Sequence, residues 1–548
     1  MRLATLSEFP PKEVGSTPTP SGAWGFVTRF QYVLLAAAML GFFILGWRGR
    51  APVLVGNNDE STYLALSRSI EAGSYREIFM ASSPFHVRFP PAYPAWLAAV
   101  RQVTGENLDL LQGVNLGLVV LSLACLYLIV RQVAGVPIAL TVAILTALSP
   151  PLLNSGGTLL SEPLFFAMVA GALVCTIKTG PVPSRNAYLA MAFWLGAFLT
   201  RTAGITIVAA IGIWLLQRRR RNVILAYALA CGLVVGGWFV YTASVPPASA
   251  GWSYAAEVSG QLGADPDQVM GMVPSAGHNA VVYGTRYLPS ALGIPAFPGT
   301  PIDNVAWLVA QILLLSVGAV VLWRKSRVVA LFLFFYGGLL LVWPWPISRL
   351  LIPPLPYLLA TLLVGAHRLT RSLPPAARGA VMGALVLLLS VGAVRGALAR
   401  DARARACDRS NPVPTEECYG KETRNIASAA LYLREHAPRG SVVLTYYPPV
   451  VNFVSGHLTE YSRLVDRIPQ GQAARVLRER GIGYILLSRR LGPVARNLLI
   501  SCRDLTVEWR FPPGAFVIST VIPTDPSRNA CAVLTEFLSV RHRGTEDE

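Results

Sequence analysis

The chain has 548 residues, of which 53% are hydrophobic and only 14% charged, and its mean hydropathy is +0.49. That is more apolar surface than one soluble core can hide, which excludes an ordinary soluble protein and implies a polytopic membrane protein. The formal net charge of +18 would suggest a nucleic-acid partner in a soluble chain, but here the cations stand in short loops between apolar runs, so membrane lipids and no nucleic acid are expected as partners.

Residues 1–30, rich in Pro, Ser and Thr, lack apolar periodicity and read as a cytoplasmic N-terminal arm. Apolar windows long enough to cross about 30 Å of hydrocarbon then follow near Gln31–Trp47, Leu110–Val130, Pro137–Leu153, Leu159–Ile177, Asn186–Leu199, Ala203–Leu216, Val223–Ala243, Val305–Trp323, Val328–Trp343, Leu350–Ala366 and Gly379–Val394. They predict an α-helical polytopic membrane domain over residues 31–399 with about eleven transmembrane helices. If the first span runs outward, Arg131, the Lys178–Arg185 loop, the Arg218–Arg221 run, the Arg324–Arg327 cluster and the His367–Arg378 loop all fall on the cytoplasmic side. The first outer loop 48–107, the outer loop 244–304 and everything after about residue 400 then lie outside. A multi-pass protein of the inner (plasma) membrane with a cytoplasmic N-terminus is expected, and no cleavable signal peptide, because about thirty residues precede the first span and no small-residue cleavage site follows it.

Within the first outer loop, Tyr63, Leu64, Leu66 and Ile70 follow the acidic pair Asp59 and Glu60 at helical spacing. Gly73 and a Pro-rich stretch come next, then a second amphipathic piece from Ala92 to Val103, which predicts short helices at the membrane surface joined across a Pro-Pro turn. After the last span the composition changes at Arg395–Arg409. Ile426–His436 and Gln470–Arg480 read as helices, and Ser441–Tyr447, Gly483–Leu487, Val507–Phe511 and Ala515–Val521 as strands, so residues 400–548 form an extracytoplasmic α/β domain. Cys125, Cys175 and Cys231 fall in spans and read as small buried apolar residues. Cys407, Cys418, Cys502 and Cys531 form an even set outside; three pairings are open, and sequence nearness favours 407 with 418 and 502 with 531.

Asp59, Glu60 and Glu162 are the carboxylates that this topology places in one compartment at the mouths of spans, where a bare charge is costly unless it is used. Asp59 and Tyr63 are four residues apart and share a helical face. Glu162, in Leu-Ser-Glu-Pro, equally suits a helix N-terminus, where the macrodipole favours an anion.

These residues carry a family resemblance. Asp-Glu-x-x-Tyr at 59–63, Arg-Phe-Pro-Pro-Ala-Tyr-Pro-Ala-Trp-Leu at 88–97, Leu-Ser-Glu-Pro-Leu-Phe-Phe at 160–166 and Ser-Arg-Leu-Leu-Ile-Pro-Pro-Leu-Pro-Tyr at 348–357 together resemble the GT-C glycosyltransferases, in the branch holding protein O-mannosyltransferases and the aminoarabinose transferases. The resemblance covers about residues 31–370 and implies transfer of a sugar from a polyprenyl-phosphate donor to an acceptor hydroxyl of a protein, glycolipid or polysaccharide on the outer face, with inversion. It implies that Asp59 is the general base, that Glu60 is the adjacent acid, and that Glu162 stands where members often carry a further acid.

Elementary chemistry agrees. A hydroxyl near neutral pH needs a carboxylate to take its proton, whereas a phosphate leaving group needs cations and no general acid. The topology puts Arg349, Arg201 and Arg88 where a carrier phosphate would lie, and a guanidinium fork suits it; each also reads as a cation snorkelling to the headgroups. Tyr63 and Tyr93, with Trp96, Trp343 and Trp345, are candidates to line a substrate groove, or to anchor at the interface. His86 reads as a solvated loop residue, since no ligand-spaced cluster accompanies it; no metal ligand or cofactor is identified, and a divalent metal stays open. The competing readings are a transporter or flippase, which predicts ionisable residues in mid-span and duplicated broken helices, and a membrane-anchored scaffold, which leaves the acidic loop without a role.

Overall fold

The computed structural model describes residues 28–56, 58–178, 185–218, 221–246, 276–292, 301–343, 346–407, 416–488, 492–511 and 515–543. Most of the outer loop 244–304 and the residue Trp345 lie outside that set. In chain order the helices of the membrane part and first loop are α1 (Gln31–Arg48), α2 (Asn58–Glu71), α3 (Ala92–Thr104), α4 (Leu108–Ala134), α5 (Val136–Ala147), α6 (Pro150–Gly156), α7 (Glu162–Ile177), α8 (Arg185–Thr200), α9 (Ile205–Gln217), α10 (Arg221–Ser244), α11 (Pro301–Lys325), α12 (Arg327–Val342), α13 (Leu355–Leu369) and α14 (Pro375–Ala406).

Each apolar window of the sequence falls on one of these helices or on the pair α5 and α6. Among the described residues, α1, α4, α10, α11 and α14 are long and apolar enough to cross a bilayer alone, and α5 with α6, bent by 61°, form either one broken span or a re-entrant pair. The apolar helices α7, α9 and α12 are shorter. A helix of sixteen residues such as α7 or α12 rises only about 24 Å, less than the hydrocarbon thickness. The N-terminal end of α7 is buried inside the bundle, and irregular backbone lies beside it: Thr202–Gly204 before α9 and Ser348–Leu351 before α13. This recess is where the polar residues gather.

Small residues let the membrane helices approach closely. A Cβ on Gly318 of α11 would stand 2.0 Å from the Thr361 carbonyl oxygen of α13, and one on Gly365 would stand 2.0 Å from that of Leu314. Helix α14 is pinned by one cation: buried Arg400 donates to the carbonyls of Leu45, Gly49 and Leu153 at 2.8–3.1 Å, which closes the C-terminal ends of α1 and α6. The helix thus runs on through the composition change at Arg395.

The C-terminal region adds α15 (Lys421–His436), β1 (Val442–Thr445), α16 (Pro448–Ser455), β2 (Leu458–Tyr461), α17 (Ala473–Glu479), β3 (Ile482–Leu487), α18 (Gly492–Ile500), β4 (Thr506–Phe511), β5 (Ala515–Ser519) and α19 (Cys531–Arg543). The sheet order is β2-β1-β3-β5-β4, with β2, β1 and β3 parallel and β5 and β4 antiparallel. Four of the five strands fall on the expected segments; β2 does not, because Leu-Thr-Glu-Tyr is short and only its Thr459 is fully buried. Disulfides join Cys407 to Cys418 and Cys502 to Cys531, the pairing favoured by sequence nearness.

The outer edge of β2 is covered by the first loop. Thr459 N–H donates to Phe79 O at 2.9 Å and Ala81 N–H to Thr459 O at 3.0 Å, so residues 79–81 lie beside β2 as a parallel addition. Ser82 N–H donates to Glu460 Oε1 at 2.8 Å and the Tyr419 hydroxyl to Val53 O at 2.8 Å. The α/β domain, α2 and α3 thus share one end of the bundle. Lys178, Arg218 and Arg371 follow the C-terminal ends of α7, α9 and α13, whose N-terminal ends border the recess, while Arg185 and Arg327 open α8 and α12, which end beside it; Arg131 and Lys325 stand in the last turns of α4 and α11.

Candidate active site

Five charged side chains converge on the recess from five separate segments. Asp59 lies in the first turn of α2 and Glu162 opens α7, both at helix N-termini that favour an anion. Arg201 occupies the extended residue between α8 and α9, with φ −149° and ψ 137°. Arg349 lies in the single turn Ser348–Leu351, and Arg88 in the Pro-rich segment before α3.

Arg349 is the hub. Its Nη1 donates to Asp59 Oδ2 at 2.9 Å, while its Nε and Nη2 reach Glu162 Oε1 at 2.9 and 2.8 Å. Arg201 Nη1 lies 2.8 Å from the same Glu162 oxygen and donates to Ser161 Oγ at 3.1 Å. Arg88 stands farther out, 3.9 Å from Asp59 Oδ1. Glu162 therefore serves both as a helix-end anion and as the partner of two guanidiniums, and its side chain is fully buried. The side chains of Asp59, Arg349 and Arg88 keep 16%, 26% and 27% of their surface open to the cleft.

The electrostatics divide the two neighbouring acids. Burial pushes the Asp59 carboxyl up, but Arg349 and then Arg88 outweigh it and hold the group below the usual carboxylate range. Glu60 points into the protein, is 3% exposed, and its Oε2 has no hydrogen-bond partner among the described residues. Burial dominates there, only partly offset by Arg349, and the Asp59 charge adds to it, so its pKa is pushed up to about 8. Three guanidiniums then face two ionised carboxylates, leaving one excess positive charge.

Around the cluster, a cleft is lined by Asp59, Tyr63, Arg88, Arg201, Trp343 and Arg349 among others. The Tyr63 hydroxyl is 2.9 Å from Ser161 Oγ. Tyr93 sits one layer deeper: it is fully buried, edge-on to Tyr63 at 4.8 Å, and its hydroxyl accepts from Asn115 Nδ2 at 2.8 Å. Trp96 packs in the same aromatic cluster, away from the cleft lining. Arg349 also borders a second, larger and mainly apolar cavity of about 740 Å³, between Pro150, Leu160, Ile352, Leu388 and Val391, with Arg395 at its wall.

His86 is not a solvated loop residue. It is 1% exposed and bonded to Glu77, which is 2% exposed. Sequence reasoning gave no role to Ser161, although its position beside Glu162 was a signal, nor to Glu77, which carries none. Among the described residues no three His, Cys, Asp or Glu side chains form a metal site. Asp59 and Glu162 are turned onto guanidiniums through Oδ2 and Oε1.

No protein-family model matches the chain, and no curated protein is found as a relative. Solved structures do match in fold. The oligosaccharyltransferase AglB of Archaeoglobus fulgidus, in complex with an inhibitory peptide and a dolichol-phosphate, superposes with a TM-score of 0.54 at 14% identity over 91% of this chain and 75% of its own. ArnT of Cupriavidus metallidurans, bound to undecaprenyl phosphate, superposes with a TM-score of 0.54 at 12% identity over 91% of this chain and 99% of its own. Both are GT-C glycosyltransferases, and the chain has the GT-C fold: a multi-helix membrane domain followed by a C-terminal domain.

Proposed function

We propose that the chain is a membrane glycosyltransferase that moves a sugar from a polyprenyl-phosphate carrier to an acceptor hydroxyl, with Asp59 as general base. The observation that carries this reading is Arg349, which holds Asp59 on one side and Glu162 on the other while bordering both a polar cleft and an apolar cavity. The apolar cavity suits a polyprenyl chain and the arginines suit its phosphate, in keeping with the lipid phosphates held by AglB and ArnT. A sugar phosphodiester carries one negative charge, which matches the one excess positive charge of the cluster.

The residues also supply the steps. The acceptor oxygen attacks the anomeric carbon as its proton passes to Asp59, the bond from that carbon to the phosphate oxygen breaks, and the electron pair leaves on the phosphate. Arg349, Arg201 and Arg88 stabilise the charge that develops there, so no general acid is required. A single displacement inverts the anomeric carbon. Before the donor arrives, Arg349 and Arg88 keep Asp59 a weak base; a phosphate that shares those guanidiniums and adds its own negative charge raises the basicity of Asp59 when it is needed.

The outward placement of the site rests on the basic residues at the opposite helix ends, which the positive-inside rule assigns to the cytoplasm. The test is transfer by the purified protein from a panel of polyprenyl-phosphate sugars, with Asp59→Asn as control. Failure with every donor, together with movement of a labelled lipid across liposomes, would replace this reading with a flippase.

A further inference from the structure

The Glu77–His86 pair belongs to no step above, yet both side chains are buried within the first loop, at 2% and 1% exposure. Residues 75–86 fold back as a narrow hairpin: Glu77 N–H donates to Pro84 O and His86 N–H to Tyr75 O, each at 2.9 Å. Within it His86 Nδ1 lies 2.9 Å from Glu77 Oε1, and Phe89 N–H donates to His86 Nε2 at 2.9 Å. Because that nitrogen accepts, the ring is neutral and its proton sits on Nδ1, donated to Glu77. Two tyrosines complete the brace: the Tyr75 hydroxyl donates to Phe89 O at 2.8 Å and the Tyr241 hydroxyl of α10 to His86 O at 3.1 Å. The turn so fixed carries Arg88, which faces Asp59 at 3.9 Å, and Phe89, whose ring lies 4.8 Å from that of Tyr63.

A buried carboxylate and imidazole are costly unless their directionality is used, and apolar residues would fill this space with less penalty. We infer that Glu77 and His86 are positioning residues: they hold the Arg88–Phe89 turn at the cleft so that Arg88 meets the donor phosphate. Glu77 fixes the tautomer and orientation of His86, and His86 in turn fixes the Phe89 amide. This inference rests on the donor reading of the cleft, but the turn itself is testable without any ligand.

The experiment uses the full-length purified protein with undecaprenyl phosphate as the probe. His86→Leu fills the space and removes the acceptor, while His86→Gln can present a side-chain oxygen near the Nε2 position. His86→Leu should weaken probe binding about tenfold, the worth of one displaced charge-assisted contact. His86→Gln should restore binding to within about threefold. In an Arg88→Ala background, His86→Leu should have no further effect, since both act through the same guanidinium. Additive losses in the double variant would overturn the positioning role. Amide exchange at Phe89 should be slow in the wild type and fast in His86→Leu; equal protection in both would refute the brace whatever the ligand. A wild type that binds no probe while Phe89 behaves as expected would refute the donor reading and uphold the brace.

Discussion

Replacing Arg349 tests whether the hub clamps the carrier phosphate or is an ordinary cation at the headgroup layer. In the fold it makes contacts of 2.9, 2.9 and 2.8 Å to Asp59 and Glu162, and the fork that reaches two carboxylates is what a bidentate phosphate contact would use. Lysine keeps the charge but offers a point donor in place of the fork, so Arg349→Lys loses at least one charge-assisted bond, about 1.5–3 kcal/mol. That corresponds to a fall of about 10- to 150-fold in affinity for a polyprenyl phosphate. Arg349→Ala should lose more and also destabilise the fold. Glu162, with its side chain fully buried, would still face Arg201 at 2.8 Å, and Asp59 would face Arg88 at 3.9 Å. Breaking a buried pair costs about 3–5 kcal/mol, discounted here to about 2 because Arg349 is partly open and each acid retains a second cation. Carrier binding to detergent-purified protein, followed by fluorescence or calorimetry alongside thermal unfolding, reads both effects. Wild-type affinity in Arg349→Lys and Arg349→Ala would refute the clamp and return Arg349 to the headgroups.

Asp59→Asn should lower turnover by about 10² to 10⁴ at saturating donor, with carrier binding retained or tightened because the cluster gains positive charge; near-normal transfer would remove Asp59 from the mechanism. Glu60 carries a pH signature: its pKa is raised to about 8, so its contribution to stability is fully present below the ordinary carboxylate pKa of about 4.3 and is lost as pH rises through 8. The melting temperature of the wild type should therefore fall between pH 6 and 9 more than that of Glu60→Gln, and parallel curves would show that Glu60 is ionised throughout. Cys502→Ser should cost about 2–4 kcal/mol of domain stability, and mass spectrometry of non-reduced peptides should find Cys502 with Cys531 and Cys407 with Cys418, as the fold pairs them; free thiols in protein from the native compartment would contradict it. A cysteine placed at exposed Arg439 should react with an impermeant reagent on intact cells, whereas labelling only after permeabilisation would invert the topology.

Local pattern fixed what depends on local forces. Runs such as Leu110–Val130 and Val305–Trp323 can only be helices at membrane depth, since unpaired backbone groups have no water to turn to. The spacing of Tyr63, Leu64, Leu66 and Ile70 set α2, and with it the place of Asp59 in a first turn. The closeness of Cys407 to Cys418 favoured their pairing. The rest depends on which helix ends meet. Arg349 and Glu162 are 187 residues apart, and no periodicity says that the turn before α13 stops level with the start of α7. The same limit hid the burial of His86, whose partner Glu77 and acceptor role toward Phe89 exist only once the hairpin closes. It also hid the depth of Tyr93, one aromatic layer behind Tyr63, and the strand Leu458–Tyr461, whose free edge is paired by residues 79–81 from the far part of the chain. Hydropathy along the chain encodes how deep a segment lies, but charge pairing is settled across the bundle, where the buried start of α7 meets the turn before α13 and brings guanidiniums and carboxylates within hydrogen-bonding reach.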